Sequence, residues 1–112
     1  MFKLNWTERA DANYKILEKT AAAKSATKKR VKSTKNEGLF KQVKKTVALL
    51  QSNPKHPGLQ SHEYKSLENP FFPNGKVFVA YAKNQTPGAY RVFWCYGPAS
   101  REITIIDITP HP

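Results

Sequence analysis

A single cysteine, Cys95, in 112 residues leaves nothing for an internal disulfide to close on. No apolar run approaches the roughly 20 residues that a membrane span needs. The opening MFKLNWTERADANYKIL has no uninterrupted apolar stretch of signal-peptide type. These absences predict a cytoplasmic, reducing location away from membranes. The length holds one compact domain, which excludes a multidomain enzyme or a doubly wound cofactor-binding fold. A Gly-rich phosphate loop, a Ser-centred elbow and a dinucleotide fingerprint are all missing. His56 and His62 have no second Cys or His at ligand spacing, so no metal or other cofactor is expected. Cys95 has no evident base partner and reads as a small strand residue.

Acidic side chains are also scarce. Eight Asp and Glu stand against 19 Lys and Arg, a formal net charge of +11, and a polyanion partner is the first expectation. The excess is uneven, at +9 up to Pro54 and +2 beyond it. Between Lys24 and Lys45 lie nine cations (Lys24, Lys28, Lys29, Arg30, Lys32, Lys35, Lys41, Lys44 and Lys45) and one acid, Glu37. Such a run reads as a phosphate-binding stripe or as a solvated helix face. Its self-repulsion favours a bound polyanion, with steep salt dependence.

FKLNW, residues 2–6, alternates Phe2, Leu4 and Trp6 on one side, the period of a strand. Thr7 offers an N-cap hydroxyl, and Glu8 follows in the first helical turn. Ala10, Tyr14, Leu17 and Ala21 then form one helical stripe to about Ala22. The lysine-rich stretch after it is either a helix extension or a mobile segment. Asn36 to Gly38 predict a break, and Leu39, Phe40, Val43, Val47 and Leu50 a second helix that ends at SNP, residues 52–54. Residues 53–75, with four prolines and two glycines, read as a long irregular connection of the kind that carries functional residues. Three β-rich runs follow at hairpin spacing: KVFVAYA (76–82), AYRVFWCYG (89–97) and EITIIDITPH (102–111).

The order β-αα-βββ predicts an α+β domain over residues 1–112, an antiparallel sheet covered on one face by a basic helical hairpin. Residues from about 22 to 36 lengthen that hairpin. Strict alternation puts Val92, Trp94, Tyr96, Thr104, Ile106 and Ile108 under the helices. It leaves Arg91, Phe93, Cys95, Ile103, Ile105, Asp107, Thr109 and His111 on an open face. A one-residue bulge would overturn that assignment.

With FKLNWTERADANY at the start, HPGLQSHEYKSL before the sheet, AYRVFWCYG in its middle and ITIIDITPH at its end, the chain resembles the RelE/ParE superfamily of bacterial toxin–antitoxin systems. The resemblance leaves out only the lysine-rich stretch. It implies a small α+β toxin neutralised by a tightly bound cognate antitoxin protein. Toxins of the RelE and YoeB branch enter the ribosomal A site and cleave mRNA without a metal, whereas those of the ParE branch poison DNA gyrase and are not nucleases. The ribonuclease pattern places its arginine on Arg91 and its terminal-strand histidine, tyrosine or arginine on His111. Glu63 and His62 match a further acid or base that some members carry before the sheet. The paired lysines of RelE-type members have no counterpart in KVFVAYA, which Lys76 and Lys83 merely flank, so a His-based mechanism fits better.

Metal-free RNA cleavage requires a base for the ribose 2′-hydroxyl, a cation for charge building on phosphorus and an acid for the departing 5′-oxygen. Arg91 suits the phosphoryl oxygens, His111 titrates near neutrality, and Glu63 is the complementary candidate. Asp107 either orients His111 or solvates its strand. Lys24, Lys28, Lys29, Arg30, Lys32, Lys41, Lys44 and Lys45 would hold RNA backbone, and Tyr81 a base. The expectation is a ribosome-associated mRNA endoribonuclease. A ParE-like inhibitor of DNA gyrase and a non-catalytic nucleic-acid-binding module are the alternatives.

Overall fold

A computed structural model describes residues 1–27, 35–82 and 89–110. Among them the chain forms five strands and two helices in the order β1 (Lys3–Trp6), α1 (Glu8–Thr27), α2 (Lys35–Ser52), β2 (His62–Glu63), β3 (Phe78–Tyr81), β4 (Tyr90–Tyr96) and β5 (Glu102–Pro110). The spatial order is β1-β5-β4-β3-β2. The expected α+β architecture is present, with β3, β4 and β5 as an antiparallel meander.

Its sheet is mixed rather than antiparallel, because β1 runs parallel to β5, from Lys3 beside Glu102 to Trp6 beside Ile105. Parallel neighbours need a long crossover, and here nearly the whole chain intervenes. At the opposite edge, two residues of the connection read as irregular form β2 against β3.

Thr7 caps α1 as its sequence position suggests. Its Oγ1 accepts from Ala10 N at 3.1 Å, and its carbonyl accepts from Asp11 N. Past Ala22, α1 continues to Thr27, and α2 starts at Lys35, upstream of the expected break. Gly38 is helical because an apolar stripe from Leu39 to Leu50 holds α2 on the sheet, and tertiary packing outweighs glycine's low propensity. Trp6, Tyr14 and Phe40 pack in series as tilted rings, with centroids 5.1 and 5.4 Å apart, and tie β1 to both helices.

Beneath the helices lie Ala10, Leu17, Val43, Val47, Leu50, Ala80, Val92, Trp94, Ile103, Ile105 and Ile108, all buried. The simple alternation of β5 fails there. Val92 pairs with Ile108 and Phe93 with Asp107, yet Trp94 pairs with Ile105, so Ile106 is an unpaired bulge residue. The extra residue shifts the pleat by one. Ile103 and Ile105 therefore join the core instead of the far face, and Thr104, expected under the helices, pairs with Cys95 on the other side.

That other side is not open. Val79, Phe93, Cys95 and Thr104 are all buried. Tyr64, from the 53–75 connection, sets its ring 4.8 Å from Phe93, and its backbone N–H donates to Val77 O. Asp107 is buried as well. Its Oδ1 accepts from Asn13 Nδ2 on α1 and from Ile108 N, both at 2.8 Å, and Arg9 lies 3.7 Å from Oδ2.

Candidate functional site

Arg91 lies on the non-helical face of β4, where it pairs in register with Tyr81 of β3 and Thr109 of β5. Its guanidinium carbon lies 5.0 Å from the centroid of the Phe93 ring. A cation held over an aromatic face is ordered by the ring quadrupole. Arg91 makes no ion pair with any described residue, and its buried Nε has no hydrogen-bond partner. Among the described residues nothing compensates its positive charge.

The short β2 decides what stands next to it. His62 pairs with Val79 and Glu63 with Phe78. Directly paired residues share a face of the sheet, so His62 projects to the side of Tyr81 and Arg91. Its ring centroid is 5.6 Å from that of Tyr81. His62 Nδ1 is 3.4 Å from the Gln60 carbonyl.

Glu63 faces the other way, with Phe78, which stacks on Trp94 of the helical core. The register therefore separates Glu63 from Arg91 by the thickness of the sheet and brings His62 forward instead. Tyr64, two residues on from His62, closes the floor against Phe93. Tyr64 went unnoticed as a contributor in the sequence. The period of HEY in an extended segment is the signal that would have found it, since it puts His62 and Tyr64 on one side and Glu63 on the other.

The basic residues divide into two groups. Lys41, Lys44 and Lys45 are exposed on α2, at helical spacings that put them on one side, and none of them pairs with a described carboxylate. Lys45 also lines a cavity of about 370 Å³ together with Tyr81, so this cation of α2 adjoins the end of β3. Lys24 lies on α1. Its side chain, the residues Lys28, Lys29, Arg30 and Lys32, and His111 lie outside the described residues.

Cys95 is fully buried, and burial pushes its thiol up to about 11. A thiol held protonated is a poor nucleophile, which accords with a packing role. Among the described residues no three His, Cys, Asp or Glu side chains are grouped to hold a metal ion. No helix among them is long and apolar enough to cross a membrane.

Comparison with known proteins completes the description of the site. No family model matches the chain, and no curated protein does. A solved structure, the YoeB/ParE toxin from Agrobacterium tumefaciens, superposes over 98% of this chain and 99% of that one, with a TM-score of 0.62 at 12% identity. From end to end, the chain has the fold of a YoeB/ParE toxin.

Proposed function

We propose that the protein is the toxin of a bacterial toxin–antitoxin pair and that it acts as an endoribonuclease on mRNA at the ribosome. The observation that carries this reading is the Arg91 guanidinium, seated on Phe93 with no counter-charge among the described residues, on the sheet face that also carries Tyr81 and His62. The end-to-end likeness to a YoeB/ParE toxin supports the toxin assignment. A forked cation and an imidazole on one face of the sheet supply the groups that in-line attack by a ribose 2′-hydroxyl requires.

In this mechanism the guanidinium takes the non-bridging phosphate oxygens. Nε2 of His62 removes the 2′-proton as the 2′-oxygen bonds to phosphorus. The bond from phosphorus to the 5′-oxygen breaks, and a proton from His111, the residue singled out by the family resemblance, neutralises the departing oxygen. The products are a 2′,3′-cyclic phosphate and a 5′-hydroxyl. The need for the 2′-hydroxyl confines the reaction to RNA. Lys41, Lys44 and Lys45 would dock on ribosomal RNA, and the antitoxin would be an acidic protein that neutralises a +11 chain.

One observation favours the second reading, inhibition of DNA gyrase. α1 runs ten residues past Leu17, the last of its described side chains to be buried, a length suited to a protein groove. The deciding experiment is induced expression of the wild type beside Arg91→Ala, His62→Ala, Glu63→Ala and His111→Ala, with mRNA 5′-end mapping and a plasmid supercoiling readout. The ribonuclease reading expects codon-phased cuts that vanish in Arg91→Ala and fall steeply in His62→Ala and His111→Ala, but persist in Glu63→Ala. Intact mRNA with relaxed or broken plasmid would move the protein to the gyrase class.

A further inference from the structure

Between the strands and the segment after α2 lies a cavity of about 420 Å³, on the helix-covered side of the sheet and turned away from Arg91. Phe78, Trp94 and Tyr96 wall it from the strands, and Lys55, His56 and Ser61 from the segment. Its volume falls within the range of small-molecule sites, about 300–1,000 Å³. Two of these residues carry a buried polar atom without a partner. They are the indole Nε1–H of Trp94, a residue only 2% exposed, and the hydroxyl oxygen of Ser61. Folded proteins pair nearly all such groups, so two orphans at one cavity mark a place for a hydrogen-bonding ligand. The indole can only donate, and the ligand therefore brings an acceptor.

The charges of the lining select an anion. Lys55 supplies a cation, and none of the described lining residues is acidic. Nδ1 of His56 accepts from Gly58 N at 2.9 Å, which puts the proton of the neutral ring on Nε2 and makes that nitrogen another donor. Burial raises the Tyr96 phenol, so it stays neutral and adds no negative charge.

The apolar part of the lining selects the shape. Phe78 stacks on Trp94 at 4.9 Å, and Tyr96 stands edge-on to both, 5.0 Å from Trp94 and 5.9 Å from Phe78. The three rings are thus engaged with one another. A planar nucleobase needs a free ring face to stack on, whereas a compact saturated body needs only hydrocarbon around it.

We infer that this cavity binds a small free monocarboxylate with a compact hydrocarbon body. The body occupies the ring-lined space, one carboxylate oxygen accepts from the Trp94 indole, and Lys55 offsets the charge. Both orphan atoms lie beneath the cavity wall. The Ser61 hydroxyl turns about one bond to meet the ligand, and the Tyr96 ring, 39% exposed, shifts to uncover the indole. Occupancy stabilises the folded chain by mass action. The inference stands apart from the ribonuclease reading, because the cavity and Arg91 lie on opposite faces of the sheet.

Cyclohexanecarboxylate, its amide and cyclohexylmethylamine are the probes, chosen because they bring no aromatic ring current of their own. Each is titrated into the ¹⁵N-labelled full chain, with the Trp94 indole resonance assigned against that of Trp6. The carboxylate should shift the Trp94 indole N–H downfield to saturation, raise the denaturation temperature, and bind at least tenfold more tightly than the amide. The amine should leave the resonance in place. Trp94→Phe should weaken carboxylate binding at least tenfold. Lys55→Gln should remove most of the preference for the acid over the amide, and Ser61→Val, which sets methyl groups where the hydroxyl was, should weaken both. These two variants keep the test decisive if Trp94→Phe does not fold. A resonance that the carboxylate does not move, an amide bound as tightly as the acid, or binding indifferent to both Lys55→Gln and Ser61→Val overturns the proposal. So does a resonance that answers adenosine monophosphate at lower concentration than the carboxylate.

Discussion

The hydroxyl of Thr7 donates to the carbonyl of Ile106 at 2.6 Å and at the same time accepts from Ala10 N. One side chain thus joins the cap of α1 to the unpaired bulge residue of β5, 99 positions away in sequence. The bulge explains why the carbonyl is available, since a residue outside the ladder keeps a backbone acceptor to spare. Thr7→Ala removes the cap and leaves that carbonyl without its donor. A loss of about 1–2 kcal/mol in urea unfolding is expected, with Thr7→Ser retaining most of the stability.

Gly38 lies within α2, and a Cβ built on it meets nothing within 4 Å. Gly38→Ala should therefore stabilise the protein by about 0.5–1 kcal/mol, read as a higher denaturation midpoint at unchanged slope.

Burial raises the Cys95 thiol from 9.0 to about 11. A raised pKa means that the folded protein keeps a proton the unfolded chain releases. The stabilising effect is complete below pH 9 and is lost as pH climbs toward 11. Stability should fall over that window, and the difference between wild type and Cys95→Ala should isolate the thiol's share. Burial also raises Tyr14 and Tyr96, which steepens the alkaline decline in both proteins equally.

Arg91 owes its seat to Phe93. Phe93→Leu keeps an apolar residue in the buried site but removes the ring face, at a cost of about 1 kcal/mol in stability. If Arg91 acts on phosphate, RNA cleavage should drop by an order of magnitude or more in this variant while thermal unfolding stays cooperative.

Replacing Lys41, Lys44 and Lys45 together by Gln should lower the salt dependence of RNA binding. With about 0.7 counterions released per neutralised single-strand phosphate, the slope of log affinity against log salt should shrink by about 2. An unchanged slope would return these lysines to a solvated helix face.

Local features were legible in the sequence and long-range ones were not. The period of Phe2, Leu4 and Trp6, the cap at Thr7, the stripe from Leu39 to Leu50 and the three-strand meander all depend on neighbours a few residues apart, and each is present. The parallel pairing of Lys3 with Glu102 has no local signature. Nor has the bulge at Ile106, which reverses the sides of Ile103 and Ile105 without any glycine or proline to announce it. At the candidate site, the place of Arg91 on a middle strand follows from AYRVFW. The choice between His62 and Glu63 required knowing that two residues of a proline-rich connection are extended, which only their pairing with β3 reveals.

The seam between β1 and β5 also bears on the order of events during synthesis. β1 leaves the ribosome well before its sheet neighbour β5, so it waits without a ladder until β5 has been made. Arg91 and its surroundings need β5 beside β4 in the same way. A nascent chain that has not yet reached β5 consequently lacks both the seam that joins β1 to the sheet and the strand that flanks Arg91, so the surface around Arg91 takes shape only after β5 has emerged.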